Sequence, residues 1–120
     1  MSADPVRDRW ERSGRGWRAR ANHVRTMGMP VSAWMLDQLH LQPGQEVLEL
    51  AAGPGDTGFM AAELVRPGGR LICSDAVEAM LEIARERAAE QQLDNVEFKL
   101  LELDWICLLY TSDAADDLTR

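Results

Sequence analysis

The residues with the most chemical reach lie in two short stretches. Residues 47–58 read Val-Leu-Glu-Leu-Ala-Ala-Gly-Pro-Gly-Asp-Thr-Gly. Gly53 and Gly55 lack a Cβ, so the backbone there can turn tightly and let a ligand come close. Asp75 follows Gly55 by 20 residues, a spacing at which a carboxylate accepts hydrogen bonds from the two hydroxyls of a ribose. A side-chain-free turn followed by such an acid points to a nucleoside cofactor. Gly53-x-Gly55-x-x-Gly58 also satisfies the dinucleotide pattern, which alone is a weak signal. An NAD(P)-dependent oxidoreductase is therefore a second reading. A non-catalytic binding module that keeps only the Rossmann-like shape is a third. Glu49 favours the first. A carboxylate beside the turn opposes a diphosphate and suits an ammonium or a sulfonium.

These residues need strands and helices to hold them. Val47–Ala51 is short and largely apolar, as a buried parallel strand is. Residues 57–66 read as a helix, stopped by Pro67-Gly68-Gly69. Residues 70–74 form a second strand that ends at Asp75. A helix is expected over 77–92, with Val77, Met80, Leu81, Ala84 and Ala88 on one face and Glu82 and Glu86 supporting Arg85 or Arg87. Val96–Leu100 alternates as a third strand. The β-α-β-α-β order predicts an α/β fold, a Rossmann-like doubly wound parallel sheet with N-terminal helices in front. In the expected 3-2-1-4-5 order the first strand has a neighbour on each side. Ligands bind beyond the carboxyl ends of such strands, where the 51–56 loop, Asp75 and Glu102–Asp104 all fall.

Ahead of the first strand, Trp10, Trp17 and Val24 recur seven apart, on one helical face. Gly14 and Gly16 predict a break there, Met27-Gly28-Met29 a linker, and Pro30 the first position of a new helix. Val31, Trp34, Met35 and Leu39 then make an apolar stripe, and Pro43-Gly44 a turn. The two tryptophans read as core or lid packing ahead of an aromatic cage for a substrate.

The net charge is −7, yet residues 1–26 hold seven arginines against three acids. Ordinary solvated helix arginines explain that local excess, and overall acidity argues against a dedicated nucleic-acid binder. No stretch approaches a membrane span or a secretory signal, so a cytoplasmic location is expected. Cys73 reads as a buried reduced thiol; with Cys107 it forms neither a disulfide framework nor a metal site. His23 and His40 read as surface residues. Residues 107–117, Cys-Leu-Leu-Tyr-Thr-Ser-Asp-Ala-Ala-Asp-Asp, resemble a translated transposase-type sequencing adapter. The organisation expected is thus a helical segment over 1–45, the first half of a cofactor domain over 46–106, and a non-native tail over 107–120. Such a fragment is expected to be marginally stable, with a bare first-strand edge, and to lack turnover.

Val47–Gly58 resembles the first motif of class I S-adenosylmethionine-dependent methyltransferases, especially bacterial small-molecule enzymes with a Leu-Glu-Leu-Ala-Ala-Gly-Pro-Gly-Asp-Thr-Gly loop. Ser74-Asp75-Ala76 with Met80 is similar to their second motif, and Asn95–Phe98 with Leu101–Ile106 to their third strand and adenine loop. The resemblance spans about residues 30–106 and implies S-adenosyl-L-methionine as cofactor, a small-molecule acceptor and no metal. It implies that Glu49 orients the loop and favours the cofactor's amino group. Ala51, Gly53 and Gly55 would give backbone contacts to the methionine and ribose moieties. Asp75 would hold the ribose hydroxyls, and Ala76 and Met80 would line the adenine pocket. Where the family has Gly-Asp-Ala this chain has Leu101-Glu102-Leu103. Glu102 would accept the adenine amino group and the Leu103 amide reach the ring, with Asp104 the alternative acceptor. Acceptor contacts in this family come mostly from beyond the third strand, so no residue here is given a catalytic role.

Overall fold

The computed structural model describes residues 4–103; Asp104, Cys107 and the adapter-like tail lie outside the described residues. The elements run α1 (Pro5–Arg12), α2 (Gly14–Leu39), β1 (Glu46–Glu49), α3 (Asp56–Leu64), β2 (Arg70–Asp75), α4 (Glu78–Glu90) and β3 (Val96–Leu100). The three strands are parallel in the order β1-β2-β3, the first half of the expected sheet.

β2 is the middle strand and the most buried, because both its edges are paired. It aligns Cys73 with Glu49 of β1 and Asp75 with Leu100 of β3. At the opposite end Arg70 ties the strands together, pairing with Glu46 at 2.8 Å and Glu97 at 2.5 Å. Leu71 and Cys73 point to one face, where Phe59 and Ala62 of α3 and Ala84 and Ala88 of α4 close over them. Cys73 is a free, buried thiol, pushed up to about 12 chiefly by desolvation. β1 corrects the expectation of a buried strand. Among the described residues it pairs only with β2, and Leu48 and Leu50 are exposed.

The N-terminal helices depart further from expectation. The break falls at Ser13, and Asp4 caps α1 by accepting from the Val6 and Arg7 amides. Gly14 is buried, and a Cβ there would lie 3.1 Å from the Ala79 Cβ of α4, so that glycine serves close packing. The expected linker at 27–29 is instead helix: α2 runs unbroken for 26 residues with Pro30 inside it. Pro30 deprives the Thr26 carbonyl of its amide partner, but contacts on either side hold the helix. Arg87 of α4 bonds Asn22 at 3.0 Å, and the Ser32 and Thr57 hydroxyls lie 2.7 Å apart. Leu36 is buried, whereas the expected stripe of Val31, Trp34, Met35 and Leu39 is exposed among the described residues. No helix among them is long and apolar enough to cross a membrane.

Candidate cofactor site

The site begins at the tip of β1. Ser74 donates its hydroxyl to the Glu49 carbonyl at 2.6 Å, and the Ala52 amide donates to the Ser74 carbonyl at 2.9 Å. These bonds carry the β1 backbone across to β2 before it turns. The turn uses positive φ at Ala51 (53°), Gly53 (59°) and Gly55 (91°). Gly55 caps α3, and a Cβ there would lie 2.6 Å from the Phe59 ring, so only glycine fits.

Asp75 locks the turn from the neighbouring strand. Its Oδ2 accepts from the Gly53 amide and its Oδ1 from the Val77 amide, both at 2.9 Å. It therefore supports the start of α4 as well as the glycine turn. Each carboxylate oxygen retains a second lone-pair site for a ligand hydroxyl.

Glu49 sits deeper, against α3. A Cβ on Gly58 would lie 2.3 Å from Glu49 Oε1, so glycine at 58 makes room for the carboxylate. Burial raises Glu49 to about 7; the Gly58 amide opposes that rise, and the charges of Asp56 and Asp75 add to it. Its Oε1 is sealed from solvent and has no hydrogen-bond partner among the described residues.

Above the turn opens a cleft of about 570 Å³, within the range of small-molecule sites. Of the residues the resemblance singles out, Ala51, Gly53, Asp75, Ala76, Met80 and Leu103 line it. Three expected residues do not. Glu49 lies beneath the loop. Gly55 lines an adjoining hollow of about 150 Å³. The Glu102 carboxylate is held by the Arg7 guanidinium of α1. Asp104 is outside the described residues.

The opposite wall holds both tryptophans, in keeping with core or lid packing, and Arg7, which sequence reasoning missed. The indoles lie 5.7 Å apart, tilted by 35°. Trp17 also packs on Val77, Met80 and Ile83. Sequence reasoning also misassigned the α4 arginines. Arg85 bonds Glu78, Glu86 takes Arg18, and buried Arg87 holds Asp56 at 2.8 Å. The signal for Arg87 was its helical spacing, one turn from Ala84 on the inward face.

A parallel sheet whose first two strand tips carry a glycine turn and a carboxylate bonded to it defines a Rossmann-like nucleoside-cofactor domain. A family model described as a methyltransferase domain matches residues 41–117. The chain is 41% identical over 63 residues to an arsenite methyltransferase of Halobacterium salinarum, covering 52% of this chain and 16% of that protein. It is 42% identical over 52 residues to a demethylmenaquinone methyltransferase of Symbiobacterium thermophilum, covering 43% and 21%. A SAM-dependent methyltransferase from Aquifex aeolicus superposes with a TM-score of 0.55 at 27% identity, over 59% of this chain and 38% of that one. The chain thus matches about a fifth of the length of these curated relatives. It belongs to the methyltransferase-domain family, in the class I, S-adenosylmethionine-dependent group.

Proposed function

We propose that this chain supplies the donor-binding half of a methyltransferase that moves the methyl group of S-adenosyl-L-methionine to a small-molecule acceptor. The observation that carries this reading is Asp75, bridging the Gly53 and Val77 amides at the wall of the 570 Å³ cleft. The residues fit the cofactor. Asp75 holds the ribose hydroxyls, and Ala76, Met80 and Leu103 give an apolar bed for adenine. Trp10 and Trp17 close the far side and exclude water. Glu49, sealed under the loop, sets the shape of the turn. It also adds negative potential as a cationic ligand draws it into its ionised form.

When bound, the cofactor supplies an electrophilic methyl group on a sulfonium. The chain's own work is to hold the donor and orient it, which lowers the barrier through positioning. A small acceptor is in keeping with two of the relatives, named for arsenite and demethylmenaquinone. The dinucleotide reading loses support at α3. A pyrophosphate needs that helix N-terminus free, and here the Glu49 carboxylate lies against Gly58 while Asp56 opens the helix.

Calorimetric titration separates these readings. S-adenosylhomocysteine is expected to bind and NAD⁺ to give no heat. Asp75→Ala should weaken S-adenosylhomocysteine about 30-fold, from the loss of charge-assisted hydrogen bonds. Binding of NAD⁺, or an Asp75→Ala chain that binds S-adenosylhomocysteine normally, would sink the proposal.

A further inference from the structure

α1 supplies part of the cleft wall through Val6, Arg7 and Trp10. α2, α3 and α4 each bury residues; α1 is eight residues long and buries none. A helix that short is marginal in water on its own, so its place depends on what ties it down. Two of the ties are polar. The Glu11 carboxylate accepts from the Glu78 amide, at the start of α4, at 3.0 Å. The Arg7 guanidinium reaches Glu102, in the segment that follows β3. Trp10 adds its contact with Trp17 but stays 42% exposed.

The chain is held far more firmly just past Ser13. Gly14 is buried against Ala79, Ala21 is buried, and Arg18 bonds Glu86 of α4 through two nitrogens at 3.0 and 3.2 Å. Ser13, where the two helices part, is thus the border between a loosely tied element and an anchored one. Glu102 stands between Leu101 and Leu103, which line the same cleft as Arg7. The ion pair therefore joins two walls of the cleft. Its side chains are 34% and 38% exposed, and a pair that open to water is weak enough to break and re-form.

We propose that α1 is a lid on this cleft, hinged at Ser13 and latched by the Arg7–Glu102 pair, and that release of the latch sets how fast the donor enters and leaves. The assignment rests on the donor-binding reading above. It gives Glu102 a task at the cleft that needs no contact with the ligand.

Reversing the charges tests the latch. Arg7→Glu in the full 120-residue chain sets two carboxylates against each other. Arg7 is the third residue of α1, behind the Asp4 cap, where a glutamate suits a helix start, so the helix itself is not weakened. Hydrogen exchange of the α1 amides should quicken about fivefold, the upper range for an exposed pair, while α2 amides from Ala21 onward stay unchanged. Stopped-flow mixing with S-adenosylhomocysteine, followed by tryptophan fluorescence, should show faster association and faster dissociation by a similar factor. Adding Glu102→Arg to Arg7→Glu rebuilds the pair in reverse and should return exchange and both rates to those of the unaltered chain. If Arg7→Glu leaves either the α1 exchange or the rates as they were, the pair is no latch. If the double variant repairs nothing, or α2 exchanges faster as well, Arg7 acts through the fold, and the proposal also falls. If the unaltered chain binds no S-adenosylhomocysteine, the donor-binding reading is wrong and the lid falls with it; exchange that quickens and recovers across the variants would then trace the failure to that reading and not to the pair.

Discussion

Glu49 and Asp75 end neighbouring parallel strands, and a helix follows each, yet the fold treats their charges in opposite ways. The register explains it. Glu49 aligns with Cys73, so Asp75 lies two residues farther along on the same face, about 7 Å nearer the strand tips. There it clears the sheet and meets the Gly53 and Val77 amides. One step deeper, Glu49 stays against α3, desolvated, and is raised to about 7. A two-residue offset along one ladder separates an acid that faces a ligand from one that shapes the loop beneath it. The β1 side carries a second acid, Asp56, and tolerates it because Arg87 neutralises it.

The largest expected effect comes from removing that neutralisation. The Arg87 and Asp56 side chains are only 10% and 18% exposed. Stripping one partner from so buried a pair costs about 4 kcal/mol. Arg87→Met should lower the urea-unfolding free energy by that order, and adding Asp56→Asn should restore more than half of it. A loss under about 1 kcal/mol would show that the β1 side carries its acids without help.

Next in size is the pH dependence of Glu49. A carboxyl group raised in the folded state stabilises below its unfolded value of 4.5, and that contribution is lost as pH rises through about 7. Stability should therefore fall between pH 4.5 and 7 by at most about 3 kcal/mol from this group, and Glu49→Gln should remove that part of the slope. Saturation with S-adenosylhomocysteine, whose ammonium favours the ionised acid, should move the window to lower pH. Denaturant midpoints across that range measure both. If Glu49→Gln leaves the slope unchanged, the two acids do not differ as the register implies.

The β1–α3–β2–α4–β3 order was legible because alternating strands, the glycine turn and the apolar face of α4 are local patterns. The glycine turn and Asp75 at one end of the sheet follow from strand order, whereas Ala51, Ala76, Met80 and Leu103 at the same cleft came from the family resemblance. What escaped was set by distant partners. Glu102 looked free to meet adenine, but its partner Arg7 lies 95 residues earlier. The break expected near Pro30 did not form, because Arg87–Asn22 and Ser32–Thr57 hold α2 across a local penalty. Reading the α4 charges as pairs along one helix hid Arg87, whose partners lie on α2 and α3.

The smallest effect sharpens the comparison most directly, because it changes the β1 tip without touching a charge. Ala51 stands two residues beyond Glu49, with φ at 53°. A left-handed conformation costs an L-residue about 1–2 kcal/mol. Glycine would relieve that strain but adds unfolded-chain entropy worth about 0.4–1 kcal/mol. Ala51→Gly should therefore stabilise the chain by about 0.5 kcal/mol, a rise in Tm of about 3 °C for a domain of this size. Affinity for S-adenosylhomocysteine should stay within about twofold, because the side of the turn that faces the ligand is backbone and Asp75 is unaltered. A stabilised variant that still binds would make the β1 tip a matter of backbone shape and the β2 tip one of charge. A variant that is less stable, or that loses the ligand, would mean that the Ala51 methyl packs against something the donor needs.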